Sequence, residues 1–221
     1  MAEQASPMRP PPGRHRLPRE FIVRHQRVRI VAALTEEILE QGYRSVTVAD
    51  IVRRAGVARN TFYENFASKE DCFLAASAFA ADEALRRVLE AAGTVDSWPA
   101  RVDAGLGAFL RYVTDEPALA RTCIVEALAA GPAAIERYER TIQEFVPLFR
   151  LGRKVSPHGE ELPQTLEETV IGGIFWILYQ RIATGETGGI DDLRPELTVF
   201  ALTPYIGAEA AKRMAGGELK V

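Results

Sequence analysis

Apolar residues recur along this chain at intervals of three and four and show no sustained alternation, so every long segment is predicted to be an amphipathic helix. Val28, Val31, Leu34 and Ile38 form the first stripe, on a helix over about 24–41 that Gly42 ends. Val48, Ile51, Val52 and Ala55 fall at i, i+3, i+4 and i+7, one apolar face on a short helix. Thr47 is placed to cap it, and Asp50 three residues later completes a capping box. Gly56 follows at once, where a sharp turn between packed helices needs a residue that tolerates positive φ. Val57, Phe62 and Phe66 then anchor a second short helix, and Ser68 with Asp71 repeats the capping-box spacing where a long helix begins.

That long helix is predicted over about 69–92, with Leu74, Ala78, Ala81, Leu85 and Val88 at helical spacing and Gly93 as its stop. Trp98, Val102, Leu106, Phe109 and Val113 mark the next helix, and a shorter one carries Leu119, Cys123 and Leu128 up to Gly131. Ile135, Tyr138, Ile142, Phe145 and Phe149 form another stripe, which Pro147 is expected to kink or end. Residues 152–162 read as a loop. The penultimate helix is placed at about 163–184 and the last helical region at about 193–214, bent at Pro204. The fold class is therefore all-α: an N-terminal three-helix unit at 21–68, then a larger helical unit at 69–221, behind a proline-rich basic arm at 1–20 that reads as disordered. Such an arm could lie along phosphates or serve only as a solubilising tail.

Residues 47–66 have the form of a helix-turn-helix, whose second helix enters the DNA major groove. A solvated helix would share this periodicity, so the chemistry of the polar face carries the distinction. Asn60 can bond an adenine edge bidentately and Arg59 a guanine edge, while Thr61 offers a hydroxyl and a methyl. Tyr63 and Lys69 suit phosphate oxygens, as does Thr47 at the start of the preceding helix. Glu64 either faces solvent or accepts from cytosine N4.

The run from Arg27 to Phe73, with RIVAALTEEILEQGY, TVADIVRRAGVARNTFYENF and SKED, resembles the DNA-binding domain of the tetracycline-repressor (TetR) family. The resemblance implies a homodimeric transcription regulator, usually a repressor, that binds a palindromic operator and is released by a small molecule. It also implies DNA contacts from Thr47, Arg59, Asn60, Thr61, Tyr63 and Lys69, with Phe62 and Phe66 buried. Two positions depart from the family. Ala58 stands where a capping serine is common, and losing such a cap costs roughly 0.5–2 kcal/mol. Asn65 stands where histidine is common; it can bond phosphate but never carries charge.

The formal charge of −3 changes meaning once it is divided along the chain. Residues 1–70 hold 12 Lys/Arg against 8 Asp/Glu, a net +4, and residues 71–221 hold 15 against 22, a net −7. The basic excess lies with the helix-turn-helix, as an electrostatic footprint on nucleic acid requires. Cys72 and Cys123, without CxxC spacing, fit free thiols in a reducing cytoplasm. The apolar run at 170–179 is too short to span a bilayer, so no membrane partner is expected.

An effector pocket implied by the resemblance could be lined by Phe79, Phe109, Tyr112, Cys123, Glu126, Tyr138, Phe145, Phe149 and Tyr179, each of which can equally be ordinary core. Glu126 is the sharpest of these, since a carboxylate in IVEAL needs a partner if buried. Gly172 and Gly173 invite the close approach of another helix, and with Trp176 and Phe200 they suit the four-helix contact with a second copy that the resemblance implies; internal packing is the alternative. His15, His25 and His158 form no metal-ligand spacing, Gly105 and Gly107 lack the strand a nucleotide loop needs, and no GxSxG occurs. No cofactor, metal or catalytic activity is expected. The rival readings are a ligand-independent regulator or activator of the same fold, and a helical metabolite-binding protein or enzyme.

Overall fold

Two residues on a helix point about 200° apart, so Val28 and Ile30 cannot both face the core. In a computed structural model of the chain, which describes residues 19–216, Ile30 is buried and Val28 is exposed. The stripe of α1 (Arg19–Gln41) is thus Ile30, Ala33, Leu34 and Ile38, rotated from the predicted Val28-led stripe. α1 also starts five residues earlier than predicted, taking in Arg19 and Glu20 of the expected arm; residues 1–18 of that arm lie outside the described residues.

α2 (Val48–Ala55) begins as its sequence dictates. The Thr47 hydroxyl accepts the Asp50 N–H at 3.3 Å and the Asp50 carboxylate accepts the Thr47 N–H at 3.0 Å, a closed capping box. Gly56 ends the helix at φ 61°, the left-handed conformation the turn needs. α3 (Arg59–Asn65) starts at Ala58 with no side-chain cap. Ser68 caps α4 (Lys69–Ala92), its hydroxyl accepting the Asp71 N–H at 3.1 Å.

The remaining helices are α5 (Trp98–Asp115), α6 (Pro117–Ala120), α7 (Pro132–Arg150), α8 (Leu166–Thr184), α9 (Arg194–Ile206) and α10 (Ala208–Met214), and no strand occurs among the described residues. Three expectations are corrected. The single short helix predicted after Pro117 is α6, then a π turn at Arg121–Val125 and a 3₁₀ turn at Glu126–Ala129, the pitch changing where Glu126 reaches across to another element. α7 runs through Pro147, which sits in its last turn, where the missing N–H removes only the one bond back to the carbonyl of the preceding turn. The last helical region breaks at Gly207 (φ 80°) and not at Pro204, which α9 accommodates within its final turn.

Two apolar clusters organise these elements. The N-terminal one joins Ile30, Leu34, Ile38, Ile51, Phe62 and Phe66 to Cys72, Phe73 and Ala76 of α4, and to Ala127, Ala130 and Ala134 from beyond α6. The larger one packs α5, α7, α8 and α9 around the later turns of α4, from Ala84 to Val88. α4 therefore belongs to both cores. Its 24 residues rise about 36 Å, linking the helix-turn-helix rigidly to the rest.

Candidate nucleic-acid interface and ligand cavity

α3 is held from beneath and left open above. Phe62 is fully buried, its ring tilted against that of Phe66 at 5.8 Å, while Arg59, Asn60, Tyr63 and Glu64 are exposed and Thr61 is half-buried. Arg59 and Tyr63, one turn apart, pair on that open side: the guanidinium lies 5.7 Å from the ring and donates to the phenol oxygen at 3.4 Å.

Other proposed contacts are already engaged. The Thr47 hydroxyl donates to Asp50 at 2.6 Å, its N–H donates to the same carboxylate at 3.0 Å, and its carbonyl accepts the Ile51 N–H at 3.2 Å. Asn65 turns inward: its amide donates to the Thr61 carbonyl at 2.8 Å and its Oδ1 is buried, which removes it from the row of phosphate-facing groups. Lys69 donates to the carbonyls of Tyr43 and Val46 at 2.8 and 2.7 Å and sits 4.1 Å from the Tyr43 ring. Burial lowers its pKa, and an ammonium has three donors, so one N–H at most remains for phosphate.

The supports of this face were missed by pattern reasoning. Arg29 donates to the Ala55 and Gly56 carbonyls at the end of α2. Arg27 does the same for α3, donating to the Asn65 carbonyl at 2.7 Å with its guanidinium over the Phe66 ring. Both place a cation at a helix C-terminus, where the macrodipole favours it. The buried carboxylate of Glu37 ties α1 to α2 through Arg54 at 2.8 Å, and the Arg54 hydrogen bond holds its pKa low against the opposing pull of burial. Their sequence signal was available: three arginines and a glutamate on helices otherwise read only for apolar periodicity.

In the second unit, a cavity of about 320 Å³ opens between α4, α5, α7 and α8. Phe109, Phe145 and Phe149 line it as expected, joined by Val88, Trp98, Leu106, Ile171, Ile174 and Phe175, none of which was singled out as a lining residue. The other six candidates lie elsewhere. Phe79 is 56% exposed on the outside of α4. Tyr112 is buried under the Arg87 guanidinium, 5.0 Å from its ring, and burial raises its pKa. The Cys123 thiol donates to the Ser77 carbonyl at 3.5 Å. Tyr138 packs edge-on to Phe175 behind the wall, and Tyr179 stacks on Trp176 at 5.4 Å on α8. Glu126 is buried, as its setting in IVEAL allowed, but its partners are the Tyr43 N–H at 3.2 Å and Arg121 at 3.3 Å. Each misplacement has one origin: composition marks a side chain as apolar or polar, but the helix rotation decides which neighbour it meets.

Of the two paired glycines, Gly173 meets the Phe200 ring, 3.0 Å from where a Cβ would stand, and Gly172 has nothing within 4 Å. Trp176 and Phe200 stay 56% and 45% exposed beside them. Both cysteines are free, and burial pushes each thiol up to about 12. Among the described residues no helix is long and apolar enough to cross a membrane, and no group of three potential ligands could hold a metal.

A helix-turn-helix with an open polar face is set on an all-helical body that encloses an apolar cavity. Residues 30–76 match the model of the bacterial regulatory proteins of the tetR family. The chain is 29% identical over 115 residues to the HTH-type transcriptional activator FasR of Mycolicibacterium smegmatis, and this match covers 51% of each, so the chain spans about half the length of the curated relative it matches. The fold is similar to that of the fatty acid degradation regulator FadR from Bacillus halodurans, with TM-score 0.73 and 15% identity over 80% of this chain and 94% of that one. It is also similar to the regulator FadR from Bacillus subtilis, solved with stearoyl-CoA, with TM-score 0.67 and 15% identity over 87% and 99%. Each of these matches is to a regulatory protein.

Proposed function

We propose that this protein is a cytoplasmic, one-component transcriptional repressor whose homodimer binds a palindromic operator and releases it when a small hydrophobic ligand enters the cavity. Its reading unit is 21–68 and its sensing and dimerisation unit 69–221. The observation that carries the reading is the outward polar face of α3, Arg59, Asn60 and Tyr63, over a fully buried Phe62. Thr61 lies beside them; Thr47 adds a contact at the start of α2, and Lys69 contributes one spare donor. Gly172, Gly173, Trp176 and Phe200 form the dimer contact, supported by the bare apolar surface of α8 and α9. Two α3 helices about 34–36 Å apart, or a multiple of that spacing, then meet successive major grooves.

Ligand and DNA communicate through α4. Its first turns lie in the reading-unit core and its later residues, Val88 and Leu89, line the cavity, so a ligand that displaces them alters the spacing of the two α3 helices. The displacement releases DNA only as far as the ligand binds the two geometries unequally. Since FasR is an activator, activation from the same dimer is the second reading. A gel shift on DNA upstream of the protein's own gene tests DNA binding, and reporter output in a deletion strain separates repression, where output rises, from activation, where it falls.

A further inference from the structure

Most of the positive charge in the reading unit is committed to its own fold. Arg27 and Arg29 hold the ends of α3 and α2, Arg54 is tied to Glu37 and Glu40, and Arg53 lies 3.0 Å from Asp50. Lys69 keeps at most one donor, and Arg59 is engaged only with Tyr63, on the open face itself. Arg24 and Arg44, both exposed, have no hydrogen bond or ion pair among the described residues. Arg24 stands near the start of α1, where no contact ties it to α2 or α3.

Arg44 has a different setting. It lies in the loop between α1 and α2, and that loop is anchored on both sides of it. Glu126 accepts the Tyr43 N–H at 3.2 Å, the Lys69 ammonium donates to the Tyr43 and Val46 carbonyls at 2.8 and 2.7 Å, and the Ser45 N–H closes on the Gly42 carbonyl at 3.2 Å. The buried Tyr43 ring packs edge-on to Phe73 at 4.8 Å. Arg44 therefore stands between two residues bound to one ammonium, three positions before Thr47. No neighbouring carboxylate answers it. Glu126 is held by Arg121 at 3.3 Å, and Asp50 is closed on Thr47 and Arg53. The Glu70 carboxylate lies 3.5 Å from where a Cβ of Gly131 would stand, at the start of α7. Two cations on an ordered loop, without a counter-charge, make a local field that draws anions.

We infer that Arg44 binds a backbone phosphate of the DNA beside the bases that α3 faces. The inference rests on the regulator reading of α3 and adds a contact outside the recognition helix. A guanidinium presents its donors in a planar fork that matches two phosphate oxygens, and an anchored backbone leaves only the side chain to be ordered on binding. The paired arginines of α1 and α2 have no such role: their charge is already answered, so they release few counterions when DNA binds.

The test is anisotropy titration of the full chain between about 50 and 200 mM salt, on upstream DNA and on a scrambled duplex of equal length. Arg44→Gln should weaken both duplexes by the same factor, about three- to tenfold, and lower the slope of log affinity against log salt by about one per subunit. Arg44→Lys should keep the slope and regain part of the affinity. Arg53→Gln removes the same charge from a paired residue of the same unit and should leave the slope unchanged. A wild-type slope in Arg44→Gln, a loss confined to the upstream duplex, or an equal fall of slope in Arg53→Gln overturns the assignment. Wild-type binding with Arg44→Gln unaltered refutes this contact alone, whereas a wild type that binds neither duplex at low salt refutes the regulator reading and this contact with it.

Discussion

Glu126 and Tyr43 meet where the two cores join: the buried carboxylate accepts the backbone N–H of Tyr43 at 3.2 Å, 83 residues away in sequence. Arg121 holds the same carboxylate at 3.3 Å, and Lys69 fixes the Tyr43 carbonyl from the other side. The loop that leads into α2 is thus clamped by the turn after α6. Glu126→Leu leaves the Tyr43 N–H and Arg121 without their acceptor. The expected loss is about 1–3 kcal/mol in urea denaturation, with weaker DNA binding before any ligand is added.

Tyr63 tests the phosphate side of the interface, and Arg59, on the base-reading face, the charge that binding draws on. Tyr63→Phe removes a hydroxyl that carries no base information, so affinity for every duplex should fall alike. Arg59→Gln removes a charge, and the slope of binding against salt should shrink by about one counterion per subunit. Anisotropy titrations at several salt concentrations read both effects.

Acid should unfold this protein through its paired carboxylates. The Arg54 hydrogen bond leads in holding Glu37 below its ordinary value of 4.5, and hydrogen bonds from Arg86 and Arg87 take Glu83 down to about 2. Their stabilisation is complete above 4.5 and is lost as pH falls through the lowered folded values. The gap in unfolding free energy between the wild type and Glu37→Gln, measured by urea titration, should therefore be wide at pH 7 and narrow at pH 3 (about one unit below an unpaired glutamate).

The paired glycines separate helix stability from assembly. A Cβ at Gly172 meets nothing within the subunit, so Gly172→Ala should stabilise an isolated subunit by about 0.5–1 kcal/mol. Trp176→Glu puts a charge on the proposed dimer face without disturbing a buried residue. Sedimentation should then report monomers with an unchanged circular dichroism spectrum. A dimer that persists would move the interface elsewhere.

The reading helix was legible in the sequence because its signals are local: the Thr47–Asp50 box, the Gly56 turn and the Phe62–Phe66 spacing act within a few residues of each other. The cavity was far less so. Phe109, Phe145 and Phe149 were found because their stripes face the same space, whereas Tyr112, Tyr138 and Tyr179 are equally aromatic and point elsewhere. Val28 and Ile30 show how little separates the two cases, since either gives an acceptable stripe until α2, α3 and α4 choose a side. Glu126 marks the opposite limit: its need for a partner was readable, but a partner 83 residues away belongs to tertiary structure.

The most direct measurement compares the wild type and Asn60→Ala by fluorescence anisotropy on upstream DNA and on a scrambled duplex of equal length. The wild type should prefer the upstream DNA, and Asn60→Ala should lose about 1–3 kcal/mol on it while binding the scrambled duplex unchanged. Equal losses on both duplexes, or a wild type that binds neither at low salt, would contradict the assignment of α3 as the DNA-reading helix.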